Sequence, residues 1–151
     1  MEDNSFADIT FDKLYVEGIK GLSNKAFDKA AKTVQYMNID YLSAIKNTPP
    51  KHHVWKSISQ LTQLKVLSIG LNISQIPSLA IIPVDGHKSA LEYLAIDNRH
   101  NLTLKSNAFG HLNHLSDFNL ISDINKIEKG AFNLSQKSNQ QLPFLRAKYY
   151  V

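Results

Sequence analysis

The chain has 151 residues, 43% of them hydrophobic and 20% charged, which suits one globular domain and excludes global disorder. Its net charge of +4 is only mildly basic, the lysines are scattered and arginine occurs only at Arg99 and Arg146, so nucleic acid is not an expected partner. The absence of cysteine removes disulfides, thiolate metal sites and cysteine nucleophiles, and the apolar run over 79–84 is too short to span a bilayer.

Taken in chain order, short apolar clusters recur at one spacing: two places three residues apart, a third after three more and a fourth after two. The first copy reads Phe11, Leu14 and Val16, with Asp8 in the leading place. Ile19, Leu22 and the pair Ala26-Phe27 follow it. The second copy is Val34, Met37 and Ile39 after Ala31. Residues 46–60 then lengthen the repeat, and Pro49-Pro50 forces an extended stretch there. The third copy, Leu61, Leu64, Leu67 and Ile69, is followed by Asn72. Residues 77–90 carry Pro77, Pro83 and Asp85-Gly86, the chemistry of a loop. Leu91, Leu94 and Ile96 form the fourth copy with Lys88 in the leading place; Leu104 and Ala108-Phe109 come after it. The fifth copy is Leu112, Leu115, Phe118 and Leu120, followed by Ile124, Ile127 and Ala131-Phe132. A polar stretch over 133–141 leads to a sixth copy at Leu142 and Leu145, whose next inward place would fall on Lys148.

The second places stand at 11, 34, 64, 91, 115 and 145, giving steps of 23, 30, 27, 24 and 30 residues. Leucine-rich repeats run from about 20 to 29 residues, so two of the steps imply small insertions. The last two apolar places of each copy point to one face of a short strand, because strand side chains alternate. A single such coil cannot bury its apolar face, so neighbours must stack. The expected fold is therefore an α/β solenoid of the leucine-rich-repeat class, with short parallel strands on a concave face and five to six irregular repeats. No composition shift divides the chain, so residues 1–151 read as one domain.

The repeat cores and the three Ala-Phe segments resemble those of arthropod extracellular leucine-rich-repeat proteins, in the group similar to the non-catalytic subunit of decapod shrimp luciferase. The resemblance covers about residues 8–150. It implies an extracellular, secreted and non-catalytic protein that binds another protein. Functional residues in this group lie at variable surface positions, so the resemblance assigns none. The opening Met-Glu-Asp-Asn-Ser lacks the basic and apolar regions of a secretory signal. Three glycosylation sequons begin at Asn72, Asn101 and Asn133, where a secreted chain would carry glycan.

Catalytic and metal motifs are weak. His52 and His53 are adjacent, which on a strand turns them to opposite faces; His111 and His114 are three apart; neither pair sits in an H-E-x-x-H arrangement. No Gly-x-Ser-x-Gly elbow and no phosphate-binding glycine loop occurs. No enzyme activity, cofactor or metal is expected, and a hydrolase built on surface histidines is the least favoured reading.

The places between and beside the inward pairs define three outward columns. The first is Lys13, Tyr36, Val66, Tyr93 and Asp117; the second Tyr15, Asn38, Ser68, Ala95 and Asn119; the third Glu17, Asp40, Gly70, Asp97 and Ile121. Tyrosine offers large contact area with a polar tip, and the third column is acidic on a basic chain. The expected protein-binding residues are Lys13, Tyr15, Glu17, Tyr36, Asn38, Asp40, Tyr93, Asp97, Asp117 and Asn119. The alternative is a structural, non-catalytic subunit of an enzyme complex. With Lys148 at an inward place, the C-terminal coil is a poor cap, so the chain is expected to self-associate through that end or to be a piece of a longer protein.

Overall fold

The computed structural model describes residues 10–19, 22–23, 26–27, 32–40, 53–78, 80–81, 89–133 and 144–148. Over these residues the elements are β1 (Lys13–Val16), β2 (Tyr36–Ile39), α1 (His53–Ser59), β3 (Val66–Leu71), β4 (Gln75–Ile76), β5 (Tyr93–Asn98), β6 (Leu102–Leu104), β7 (Asp117–Ile121), β8 (Ile124–Ile127) and β9 (Phe144–Lys148). A six-stranded sheet has the order β1-β2-β3-β5-β7-β9, and a three-stranded sheet the order β4-β6-β8. Every pairing is parallel. The chain is a solenoid: in three successive coils it passes from the large sheet to the small one, β3 to β4, β5 to β6 and β7 to β8.

The inward pairs build the core. Leu14, Met37, Leu67, Leu94 and Phe118 occupy one register position along the large sheet, and Val16, Ile39, Ile69, Ile96 and Leu120 the next inward one. All are buried except Val16, which is half-buried. Each buried aliphatic or aromatic side chain contributes about 1.5–3 kcal/mol of transfer free energy. Stacking like on like lets one coil cover the next. The leading places Asp8, Ala31, Lys88 and Leu142 lie outside the described residues.

The sixth copy has a different register from the one its spacing suggested. Leu145 pairs with Phe118 and Ala147 with Leu120, and so take their register positions. Lys148 pairs with Ile121, in register with the third column. Leu145 stands opposite Phe118 where the spacing put Lys148, a shift of three residues, and an odd shift in a strand exchanges its two faces.

The side opposite the large sheet is built mainly from extended chain. A strand advances about 3.3 Å per residue and a helix about 1.5 Å, so a coil of ordinary length can return only by an extended path. One helix occurs among the described residues, α1, and it falls in the lengthened second repeat. The stretch over 46–60 that lengthens the repeat thus contributes to the core: Val54, Trp55, Ser57 and Ile58 are buried, and Ser57 Oγ donates to the Ser23 carbonyl at 2.6 Å. His53 opens this helix, so the strand geometry assumed for the histidine pair does not hold there; His52 lies outside the described residues.

The Ala-Phe segments plug the interior. Ala26, Phe27, Ala108, Phe109 and Ala131 are buried and Phe132 is half-buried. Phe109, Phe118 and Phe132 form a triangle with ring centroids 5.0, 5.4 and 5.7 Å apart. Backbone bonds stack these turns: the Phe109 N–H donates to the Ala131 carbonyl at 3.1 Å, and the Ala80 N–H to the Ala108 carbonyl at 3.2 Å. The pair Ala80-Ile81, also buried, holds the same place one coil earlier with Ile for Phe. Asn107 (φ 57°) and Gly130 (φ 76°) precede two of the pairs in the left-handed region, which asparagine and glycine tolerate best.

The interior polar position is Asn98, two residues after Ile96, rather than Asn72. Asn98 is 3% exposed; its Oδ1 accepts from the Ile73 N–H, and its Nδ2 donates to the His100 carbonyl and Ser122 Oγ. Asn72 is half-buried, and its Oδ1 is enclosed without a hydrogen-bond partner.

Candidate protein-binding face

The strand register brings the three outward columns together on the face of the large sheet turned away from the core. Lys13, Tyr36, Val66, Tyr93 and Asp117 pair in sequence across β1, β2, β3, β5 and β7. Tyr15, Asn38, Ser68, Ala95 and Asn119 do the same one place further along. Gly70, Asp97 and Ile121 pair in the third column, where Glu17 and Asp40 directly follow β1 and β2.

Exposure distinguishes these residues. Tyr15 is 72% and Tyr36 40% exposed, large fractions for aromatic side chains, and Tyr93 is half-buried. Lys13 Nζ sits 5.4 Å from the centroid of the Tyr36 ring, a cation–π contact that fixes this corner of the face. Glu17, Asp40 and Asp97 are exposed, while Asn38, Asp117 and Asn119 are half-buried. Among the described residues none of these four carboxylates has an ion-pair partner. Over β1, β2, β3, β5 and β7 the face carries four carboxylates and one lysine, while Arg146 and Lys148 stand at the matching register positions of β9. Glu17, Asp40 and Asp97, away from β9, draw cationic groups to their part of the face.

The middle of the face is a trough that single-column reading missed. β3 carries Val66, Ser68 and Gly70, all small; its register neighbours are Tyr36 and Tyr93 at the first place and Asp97 at the third, and Asp40 directly follows β2 on the other side. Adjacent strands lie about 4.8 Å apart, so these two walls stand about 10 Å apart over a low floor. The signal was in the sequence, but only as a row compared across three strands.

The other candidates separate from this face. His100, His111 and His114 are exposed, and no cluster of three or more metal-capable side chains occurs among the described residues. A cavity lined by Ile58, Ser59, Leu61, Thr62, Leu64, Ile81, Ser89 and Leu91 has a volume of about 10 Å³. That is room for a single water molecule at most. Of the sequon asparagines, Asn101 and Asn133 are exposed and Asn72 is half-buried. Among the described residues no helix is long and apolar enough to cross a membrane. Comparison of the chain with protein-family models, with curated proteins and with solved structures finds no match in any of the three.

Proposed function

We propose that this chain is a non-catalytic leucine-rich-repeat module that binds another protein through the outer, concave face of its large sheet. The observation that carries the reading is the register of the outward columns. It sets Tyr15, Tyr36 and Tyr93 on one continuous face with Glu17, Asp40, Asp97 and Asp117, with 72% of Tyr15 left exposed. Exposed aromatics with polar tips are the side chains that most often anchor protein interfaces. Repeats of 23 to 30 residues with two inward apolar places per strand, and an Ala-Phe plug on the far side, support the leucine-rich-repeat assignment. The resemblance to arthropod extracellular leucine-rich-repeat proteins and the two exposed sequons support a secreted protein.

The test is the triple substitution Tyr15→Ala, Tyr36→Ala and Tyr93→Ala, with partner affinity measured by calorimetry and folding checked by circular dichroism. Loss of binding with an unchanged spectrum is expected. Full affinity for the partner in the triple variant would place the interface elsewhere.

A further inference from the structure

We infer that the trough over β3 receives an arginine side chain of the bound protein, its stem lying along Val66 and Ser68 and its guanidinium between Asp40 and Asp97. This deepens the binding reading above and rests on it. The register places Tyr36, Val66 and Tyr93 side by side at one end, then Asn38, Ser68 and Ala95; at the other end Gly70 pairs with Asp97, and Asp40 follows directly on the last β2 pair, Ile39 with Ile69. From Val66 to Gly70 the strand advances about 13 Å, enough for an arginine side chain laid lengthwise.

The chemistry changes along that length in the order an arginine needs. The two tyrosine rings border the half-buried Val66, an apolar entrance for the methylene stem. Ser68 and Ala95 have small side chains and keep the middle low. At the far end Asp40 and Asp97 are exposed and without an ion-pair partner among the described residues, and the buried Gly70 between them has no side chain to fill the gap. A planar guanidinium has donors on opposite edges and can bond carboxylates on both sides; an ammonium is a compact point charge and spans less. Charge complementarity thus selects a cationic occupant, and the width of the gap selects arginine.

The experiment titrates the protein with an acetylated, amidated Gly-Arg-Gly-Arg-Gly peptide and with its citrulline counterpart, which is nearly isosteric and uncharged. Backbone amide shifts are followed by NMR in the wild type, in Asp40→Asn with Asp97→Asn, in Ser68→Leu and in Glu92→Gln, an exposed carboxylate outside the three columns. Expected are shifts centred on residues 66–71 and 97 with the arginine peptide, and affinity weakened about tenfold or more with citrulline, in the double aspartate variant and in Ser68→Leu, but not in Glu92→Gln. Amide dispersion in each variant reports folding in the same spectra. Equal shifts on this face from both peptides would overturn the arginine assignment and leave the face as a binding surface. Equal weakening by Glu92→Gln would mean diffuse attraction and would overturn the trough. Absence of shifts with either peptide would overturn the inference, while the tyrosine triple variant still decides the face.

Discussion

Asn98 reaches across the coil boundary to Ser122, its Nδ2 donating to Ser122 Oγ at 3.2 Å while its Oδ1 accepts from the Ile73 N–H at 3.0 Å. One amide therefore joins three consecutive coils from inside the core, where Asn98 is 3% and Ser122 2% exposed. Asn98→Ala would leave the Ile73 N–H and the His100 carbonyl without this partner. A buried backbone group left unsatisfied costs about 1–3 kcal/mol, so a loss of about 2–3 kcal/mol is expected in urea unfolding. Asn72→Ala removes an oxygen that has no partner and should cost much less. Equal losses from the two variants would show that Asn98 does not hold the coils together.

The second prediction concerns the aromatic triangle. Phe109 is 1% exposed and touches Phe118 and Phe132 at centroid separations of 5.0 and 5.4 Å. Phe109→Ala opens a cavity between two coils and should cost about 3–5 kcal/mol. Phe109→Leu should cost markedly less, because it retains much of the volume. Thermal unfolding of both variants checks this. A small loss for Phe109→Ala would mean that the turn packs loosely.

The large sheet was legible because its cause is periodic: two inward apolar places recur in each coil, and the register follows them across five strands. The outward columns came with it, since fixing one face of a strand fixes the other. Three features were not legible. Ala147 takes the register position opposite Leu120, but an alanine carries no leucine spacing, so the sixth copy reads with Lys148 at the inward place. Asn98 stands two residues after Ile96 where Asn72 stands three after Ile69, so the two do not align and the burial of Asn98 had no sequence signature. Helix α1 sits in an insertion whose prolines dominated the reading, although Val54, Trp55 and Ile58 carry a helical apolar spacing. The trough is of another kind: it is a relation among three strands, visible only once their register is known.

Acid should act on the link between the last two turns. Glu128 accepts from the Ser106 N–H at 3.0 Å and from Lys105 Nζ at 3.0 Å, with Lys126 Nζ at 3.8 Å. These partners, the backbone donor first, hold its carboxyl below the usual glutamate range. A carboxyl lowered in the folded state stabilises above its unfolded pKa, and that contribution disappears as pH falls through the folded value. Glu128→Gln should therefore melt below the wild type near pH 7, with the gap closing as the pH falls through the lowered folded value. Because the Lys105 and Lys126 side chains are 38% and 64% exposed, salt should also narrow the gap. A gap independent of pH would assign the effect to packing rather than charge.

Glycan attachment should discriminate among the sequons. Asn101 and Asn133 are exposed, whereas Asn72 is half-buried with its Oδ1 enclosed. Routed through an animal secretory pathway behind a leader, the chain should carry glycan at Asn101 or Asn133 and little at Asn72. Peptide mass spectrometry after enzymatic deglycosylation reads each site separately. Full occupancy at Asn72 with none at the other two would contradict the exposure pattern, and no glycan at any site would count against the secreted reading.

The last prediction concerns the open side of the small sheet. Leu102 and Leu104 of β6 are fully buried, but their register partners on β8 are not: Ile124 is half-buried and Ile127 is 50% exposed. Phe132, beyond the same strand, is half-buried where Phe27 and Phe109 are covered. Among the described residues no strand pairs with the outer edge of β8, so an apolar strip and a row of backbone groups stand together at one end. Such an edge recruits another strand or another chain. Pairing of this end with the same end of a second copy is isologous and closes at a dimer. Sedimentation velocity over a wide concentration range should show a monomer–dimer equilibrium. Ile127→Lys should shift it to monomer without loss of stability, because half of that side chain is already in water. A strictly monomeric wild type would mean that the end is adequately covered. Dimers unaffected by Ile127→Lys would move the contact to another surface.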